Sequence, residues 1–177
     1  MLLTTPIFYV NARPHIGHAY TMVLADAMAR WGKFELSTGT DEHGIKVWKA
    51  AKGNDVERWC DQVSLTFRSL ADSLNVDYLH FNRTTSLKHK TTLESVWKRL
   101  RDREMLTKGI HEGWYSTREE RFVIEPTEQQ SADLEFVREE NWMFPLGRYI
   151  GRVLEYLRSG DVIHPSGRFN DLLPFIE

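Results

Sequence analysis

The stretch Thr4-Thr5-Pro6-Ile7-Phe8-Tyr9-Val10-Asn11-Ala12-Arg13-Pro14-His15-Ile16-Gly17-His18 decides how this chain is read. Residues 1–10 are dominated by apolar, β-branched and aromatic side chains, the composition of a buried strand. Pro6 fits such a strand only where its missing N–H faces an edge or a bulge. Asn11, Ala12, Arg13 and Pro14 break the pattern. From Ile16 onward, apolar residues at Ile16, Tyr20, Val23, Leu24, Ala27 and Trp31 recur at helical spacing, predicting a helix to about Trp31 with Gly32 as its stop. The order is strand, loop, helix, with two histidines where the helix begins.

Downstream, residues 34–38 form a second candidate strand ending in the polar loop Gly39-Thr40-Asp41-Glu42-His43-Gly44, and residues 45–52 read as a helix. Gly53-Asn54-Asp55 end that helix and cap the next, where Val56, Trp59, Cys60, Val63, Phe67, Leu70 and Leu74 make a sustained core-facing stripe. Residues 78–81 are a third short strand, and Thr84-Thr85-Ser86 cap a helix whose inner face is Leu93, Val96, Trp97 and Leu100. Strands alternating with helices predict the α/β class, a parallel sheet wrapped by helices through right-handed crossovers.

After Met105 the character changes. Residues 109–116 and 122–124 look like a hairpin, residues 125–135 are polar, and Tyr149, Ile150, Val153, Leu154 and Leu157 mark an amphipathic helix closed by Ser159-Gly160. This predicts a parallel-sheet half domain over 1–106 and a small α+β insertion over 107–177.

Composition narrows the functional classes. A length of 177 residues, 41% of them hydrophobic and 27% charged, matches an ordinary soluble domain, and no apolar run approaches the length that spans a bilayer. A formal net charge of -2 supplies no bulk attraction to a phosphodiester backbone. The single cysteine, Cys60, excludes an internal disulfide and a thiolate metal cluster, and reads as a packing residue. No targeting peptide is visible ahead of residue 4, which points to the cytoplasm or to a processed protein.

In an open parallel sheet the ligand site lies beyond the carboxyl ends of the strands. Two polar clusters fall there, His15-Ile16-Gly17-His18 after the first strand and Thr40-Asp41-Glu42-His43-Gly44 after the second. The free N–H groups at the start of a helix favour an anion, so a triphosphate can lie across His15 and His18, whose imidazoles can donate to phosphoryl oxygens. Gly17 lets a base or ribose approach the helix backbone. Asp41 offers an acceptor for a substrate ammonium, with His43 beside it. A plainer reading remains at this point: two capping or surface histidines and a solvated turn. A zinc site is weak, because the spacing is not that of paired histidines one helical turn apart with an intervening Glu.

The run 4–18 closely resembles the nucleotide-binding signature of methionyl-tRNA synthetases, and Thr38-Gly39-Thr40-Asp41-Glu42-His43-Gly44 resembles their second signature. Weaker likenesses follow at Phe81-Asn82-Arg83-Thr84-Thr85, at Glu112-Gly113-Trp114-Tyr115 and at Glu139-Glu140-Asn141. The resemblance implies a Rossmann-like nucleotide-binding half domain with a connective insertion. It implies that His15 and His18 meet the ATP phosphates with Asn11 nearby, that Gly17 lies under the adenosine, and that Ile7, Tyr9 and Asp41 belong to the methionine site. Ile7 is equally readable as a packed strand residue. The implied reaction joins methionine to Mg-ATP as methionyl-adenylate, with pyrophosphate leaving, and then transfers methionine to tRNA.

Family members continue into a second nucleotide-binding half with a mobile Lys-Met-Ser-Lys-Ser loop and into an anticodon-binding domain; this sequence stops at Glu177, which looks like the end of the insertion. The expected chain is therefore an incomplete ligase. Ser116-Thr117-Arg118-Glu119-Glu120-Arg121 lacks the cysteines of zinc-bearing insertions, so zinc is not expected, and the likeness is to mitochondrial-type members in the mitochondrial matrix or to cytoplasmic ones. A noncatalytic nucleotide-binding module and a small nucleotidyltransferase are the alternative readings. The first has no need of both ligands together; the second leaves the Thr40–His43 signature unexplained.

Overall fold

The computed structural model describes residues 1–52, 55–116, 118–123, 134–160, 162–165 and 167–176. It divides into two compact units, Met1–Val96 and Trp97–Glu177. In the first unit the opening apolar segment forms two short strands, β1 (Leu2–Thr4) and β2 (Phe8–Tyr9), parted at Pro6. Both run parallel to β3 (Glu35–Asp41), with Thr4 registered against Ser37 and Phe8 against Thr40. On its other edge β3 pairs in parallel with β4 (His80–Arg83), Ser37 against His80 and Thr40 against Arg83. β3 is thus central, and the broken strand β1/β2 lies on the side away from β4.

β3 is longer than the sequence predicts: Gly39, Thr40 and Asp41 belong to the strand, not to the polar loop. Gly39 explains the extension. A Cβ there would stand 2.0 Å from the Asn82 carbonyl oxygen, so only glycine allows β4 to run alongside at this register. β4 itself starts two residues later than the expected 78–81, and the Leu79 N–H just ahead of it donates to the Leu36 carbonyl of β3 (2.8 Å).

Helix α1 (Ile16–Gly32) links β2 to β3, and its left-handed C-cap falls on Lys33, one residue past the expected stop. Its buried residues are Met22, Ala25 and Ala29, the two alanines small enough to bring the helix close to the sheet, whereas Ile16, Tyr20, Val23, Leu24 and Trp31 are exposed. Helices α2 (Ile45–Ala50) and α3 (Val56–Ser73) lead to β4. Asp55 caps α3 by accepting from the Glu57 and Arg58 N–H groups, as read from the sequence. The core gathers Phe8, Val10, Met22, Leu36, Val47, Cys60, Val63, Phe67 and Val76 with the alanines of α1 and α3.

Helix α4 (Leu87–Asp102) contains no buried residue, so the inner face expected at Leu93, Val96 and Trp97 is not one here: these side chains are 57%, 43% and 40% exposed. The second unit holds an antiparallel sheet in the order β6 (Arg121–Val123), β5 (Thr107–Ser116), β7 (Leu134–Met143). The β5–β6 hairpin follows the sequence reading. The expected polar stretch 125–135 lies mostly outside the described residues, and its end, Leu134 and Glu135, opens β7. Helices α5 (Ile150–Arg158) and α6 (Gly167–Ile176) complete the unit. No helix among the described residues is long and apolar enough to cross a membrane.

Candidate functional site

The two histidines are fixed by the helix they open. His15 is the N-cap of α1, in extended conformation, and its Nδ1 accepts from the Gly17 N–H at 3.1 Å. His18 returns the interaction: its Nδ1 accepts from the His15 N–H at 3.1 Å. This is a capping box built from two imidazoles. Because both Nδ1 atoms act as acceptors, each neutral ring carries its proton on Nε2. The capping reading and the phosphate reading are therefore compatible, since the cap leaves Nε2–H as the donor.

The rings lie 3.9 Å apart between centroids, and His18 meets the edges or faces of Phe8 and Phe67 at 5.1 and 4.9 Å. Burial first, and then the neighbouring His15 charge, hold His18 below the usual imidazole value, which favours the neutral ring near pH 7. Gly17 serves this packing directly: a Cβ there would stand 2.9 Å from Cε1 of His15.

Tyr9 and Asp41 are register partners at the ends of β2 and β3. The Thr40 hydroxyl faces Ser64 of α3 at 3.0 Å, so strand alternation turns Asp41 and Tyr9 to the opposite face of the sheet. The two strand ends are laced together: the Val10 N–H donates to the Asp41 carbonyl (3.2 Å), and the Trp59 Nε1–H donates to the Val10 carbonyl (2.8 Å). Phe8, registered with Thr40 and packed on His18, joins the histidine pair to the same end of the sheet. Asn11 is exposed in the loop between β2 and α1. Ile7 is 44% exposed, outside the core, so of its two sequence readings the packed one fails. His43 is exposed, with Nε2 at 3.3 Å from the Thr84 carbonyl oxygen, a contact that needs its proton on Nε2.

Sequence reasoning passed over the most heavily bonded group here. The Glu42 side chain is completely buried, and its carboxylate accepts from Arg83 Nε (2.7 Å) and Nη2 (3.1 Å), from the Thr40 hydroxyl (2.7 Å) and from the Thr85 hydroxyl. Arg83 Nη2 also donates to Asp61 of α3 at 2.6 Å. Burial alone would push the Glu42 carboxyl up. The Arg83, Thr85 and Thr40 hydrogen bonds and the guanidinium charge outweigh it, leaving the group below its ordinary range. Arg83 is raised in turn, chiefly by its bond to Glu42. Cys60 donates to the Glu42 carbonyl at 3.8 Å and is pushed up to about 11 by burial and by Glu42, so it is an unreactive packing thiol. The signal was present as an acid directly after Asp41 and an Arg-Thr-Thr run ending the next strand.

The parallel sheet, with a histidine-capped helix after β2 and Asp41-Glu42 at the end of β3, is that of a class I tRNA synthetase domain: the family described as "tRNA synthetases class I (M)" matches residues 1–130. The chain is 36% identical to the probable mitochondrial methionine–tRNA ligase of Dictyostelium discoideum, over 96% of this chain and 34% of that protein. It is 38% identical to the methionine–tRNA ligase of Rickettsia conorii, over 99% of this chain and 37% of that one. The solved Mycobacterium tuberculosis methionyl-tRNA synthetase in complex with methionyl-adenylate superposes with a TM-score of 0.89 at 30% identity, covering 99% of this chain and 38% of that one. The chain belongs to the methionyl-tRNA synthetase family, and it spans about a third of the length of these curated relatives.

Proposed function

We propose that this chain supplies the nucleotide and amino-acid binding half of a methionine–tRNA ligase, in which methionine and Mg-ATP form methionyl-adenylate before transfer to tRNA. The observation that carries the reading is the registration of Tyr9 with Asp41 at the end of the sheet where Phe8 packs on His18 of the histidine-capped α1. In it the methionine ammonium is held by Asp41, with Tyr9 and the exposed Ile7 against the rest of the amino acid and His43 at the margin of the crevice. The phosphates lie across the N-terminus of α1, where Nε2–H of His15 and His18 donate, Asn11 stands in the adjoining loop and Gly17 keeps the helix backbone open. The carboxylate attacks the α-phosphorus, pyrophosphate leaves, and the protein positions the reactants and meets the developing phosphoryl charge. No covalent enzyme intermediate is required.

In this reading the module boundary falls at residue 107, where β5 begins after α4, whereas the compact units part within α4, between Val96 and Trp97. Zinc has no part in this reading. Mitochondrial and bacterial relatives both match, which supports the mitochondrial matrix or the cytoplasm as the location. The test is methionine-dependent ATP–pyrophosphate exchange by a full-length ligase containing this sequence. His18→Ala is expected to slow adenylate formation by about two to three orders of magnitude, the loss typical of a transition-state donor. An unchanged rate removes His18 from the mechanism, and exchange that proceeds without methionine favours the nucleotidyltransferase reading.

A further inference from the structure

The most enclosed charge of the first unit lies between two residues of the candidate site yet touches neither substrate position in the reading above. We propose that Glu42, clamped by Arg83 and Thr85, is a positioning residue: it locks the carboxyl end of β3 to the turn after β4 and so fixes Asp41 and His43 for methionine. The part concerning methionine rests on the proposed function; the clamp itself does not.

The argument is one of placement. Glu42 gathers donors from three segments: Thr40 of β3, Arg83 of β4, and Thr85 in the turn that enters α4. Backbone bonds cross the same seam. The Glu42 N–H donates to the Thr84 hydroxyl at 2.9 Å, and the Thr84 N–H donates to the Thr40 carbonyl at 3.3 Å. His43 reaches the Thr84 carbonyl from the far side of Glu42. Asp61 ties Arg83 to α3, so the guanidinium cannot swing away without leaving two carboxylates. A buried ion pair is weak as a source of stability, because desolvation offsets most of the attraction, but it is strongly directional. Every lone pair of this carboxylate is directed at a partner that sets the position of residues 40–43.

The experiment uses the 177-residue chain and native-state amide hydrogen exchange. Glu42→Gln removes the charge. The double variant Glu42→Gln/Arg83→Met avoids leaving a partly buried guanidinium without its main partner, which keeps the fold when the single change does not. Exchange at the amides of Glu42 and Thr84, which cross the seam, and of Val10, which bonds Asp41 on the other edge of the same strand end, is expected to rise about tenfold or more, while Thr5 and Leu79, bonded to Ser37 and Leu36 lower on β3, stay protected. Unchanged protection at Glu42, Thr84 and Val10, or an equal rise at all five amides, overturns the clamp.

Methionine titration calorimetry on the same proteins supplies the second measurement. Affinity is expected to fall about tenfold in the double variant, in step with the local exchange. Loosened amides with unchanged methionine affinity overturn the link to the site. If the unaltered chain binds no methionine, the proposed function fails for this chain, and with it that link; the exchange result still decides whether Glu42 is the clamp.

Discussion

At the scale of single residues, the site turns on where protons sit. The reciprocal cap of α1 occupies Nδ1 of both His15 and His18, which puts the proton of each neutral ring on Nε2. Nitrogen NMR of the imidazoles at neutral pH should give protonated-type Nε2 and acceptor-type Nδ1 signals, and a protonated Nδ1 on either ring would remove the capping geometry and with it the outward donor. His18 should titrate below the ordinary 6.5. Its folded value being depressed, the unfolded chain binds the extra proton first, so His18's small contribution to stability is fully present above 6.5 and is lost as pH falls through the depressed folded value. Glu42 acts in the same direction at lower pH. Its stabilising effect is present above the ordinary 4.5 and disappears as acid protonates the folded carboxyl. Glu42→Gln should therefore lower the urea midpoint at pH 7 yet flatten its fall towards about pH 3.5; a decline as steep as that of the unaltered chain would mean that other carboxylates govern acid unfolding.

Elements were legible in proportion to how local their causes are. α3 follows from its Asp55 cap and its apolar stripe, both contained in the helix itself. The length of β3 was not legible. It depends on a long-range approach, the Asn82 carbonyl passing where a Cβ at Gly39 would stand. β7 reads as charged because Glu135, Arg138, Glu139 and Glu140 are exposed on it, and α6 was concealed by Pro174. For α1 the helix was correct, but periodicity could not say which side meets the sheet. The bulky apolar stripe is outward, and close packing selects Met22, Ala25 and Ala29. That assignment has a measurable consequence for this chain. Met22→Ala, at a fully buried position, should cost about 2–5 kcal/mol, whereas Trp31→Lys, at 93% exposure, should stay within about 0.5 kcal/mol. Urea denaturation of the two variants distinguishes the faces, and a large loss on Trp31→Lys would show that the outer stripe is covered in solution.

Over the whole molecule, the two sequence clusters carried the family, while the bonds that tie Glu42 to the end of β4 were not legible, because Thr40, Glu42 and Arg83 come together only through strand register. The same scale sets what the chain can do by itself. Hydrogen bonds to a developing phosphoryl charge act most strongly where water is excluded, and the donors here are at an open helix end: His15 and Asn11 are exposed, and Ile16 beside them is 84% exposed. Relatives in which the corresponding segment is only about a third of the chain have much more protein with which to enclose it. The isolated 177 residues should accordingly catalyse methionine-dependent ATP–pyrophosphate exchange at least about a hundredfold more slowly than a full-length ligase containing them. Comparable rates would mean that the histidine-capped helix and the Asp41 strand end form a sufficient active site without enclosure, and that preorganisation within this unit outweighs the exclusion of water.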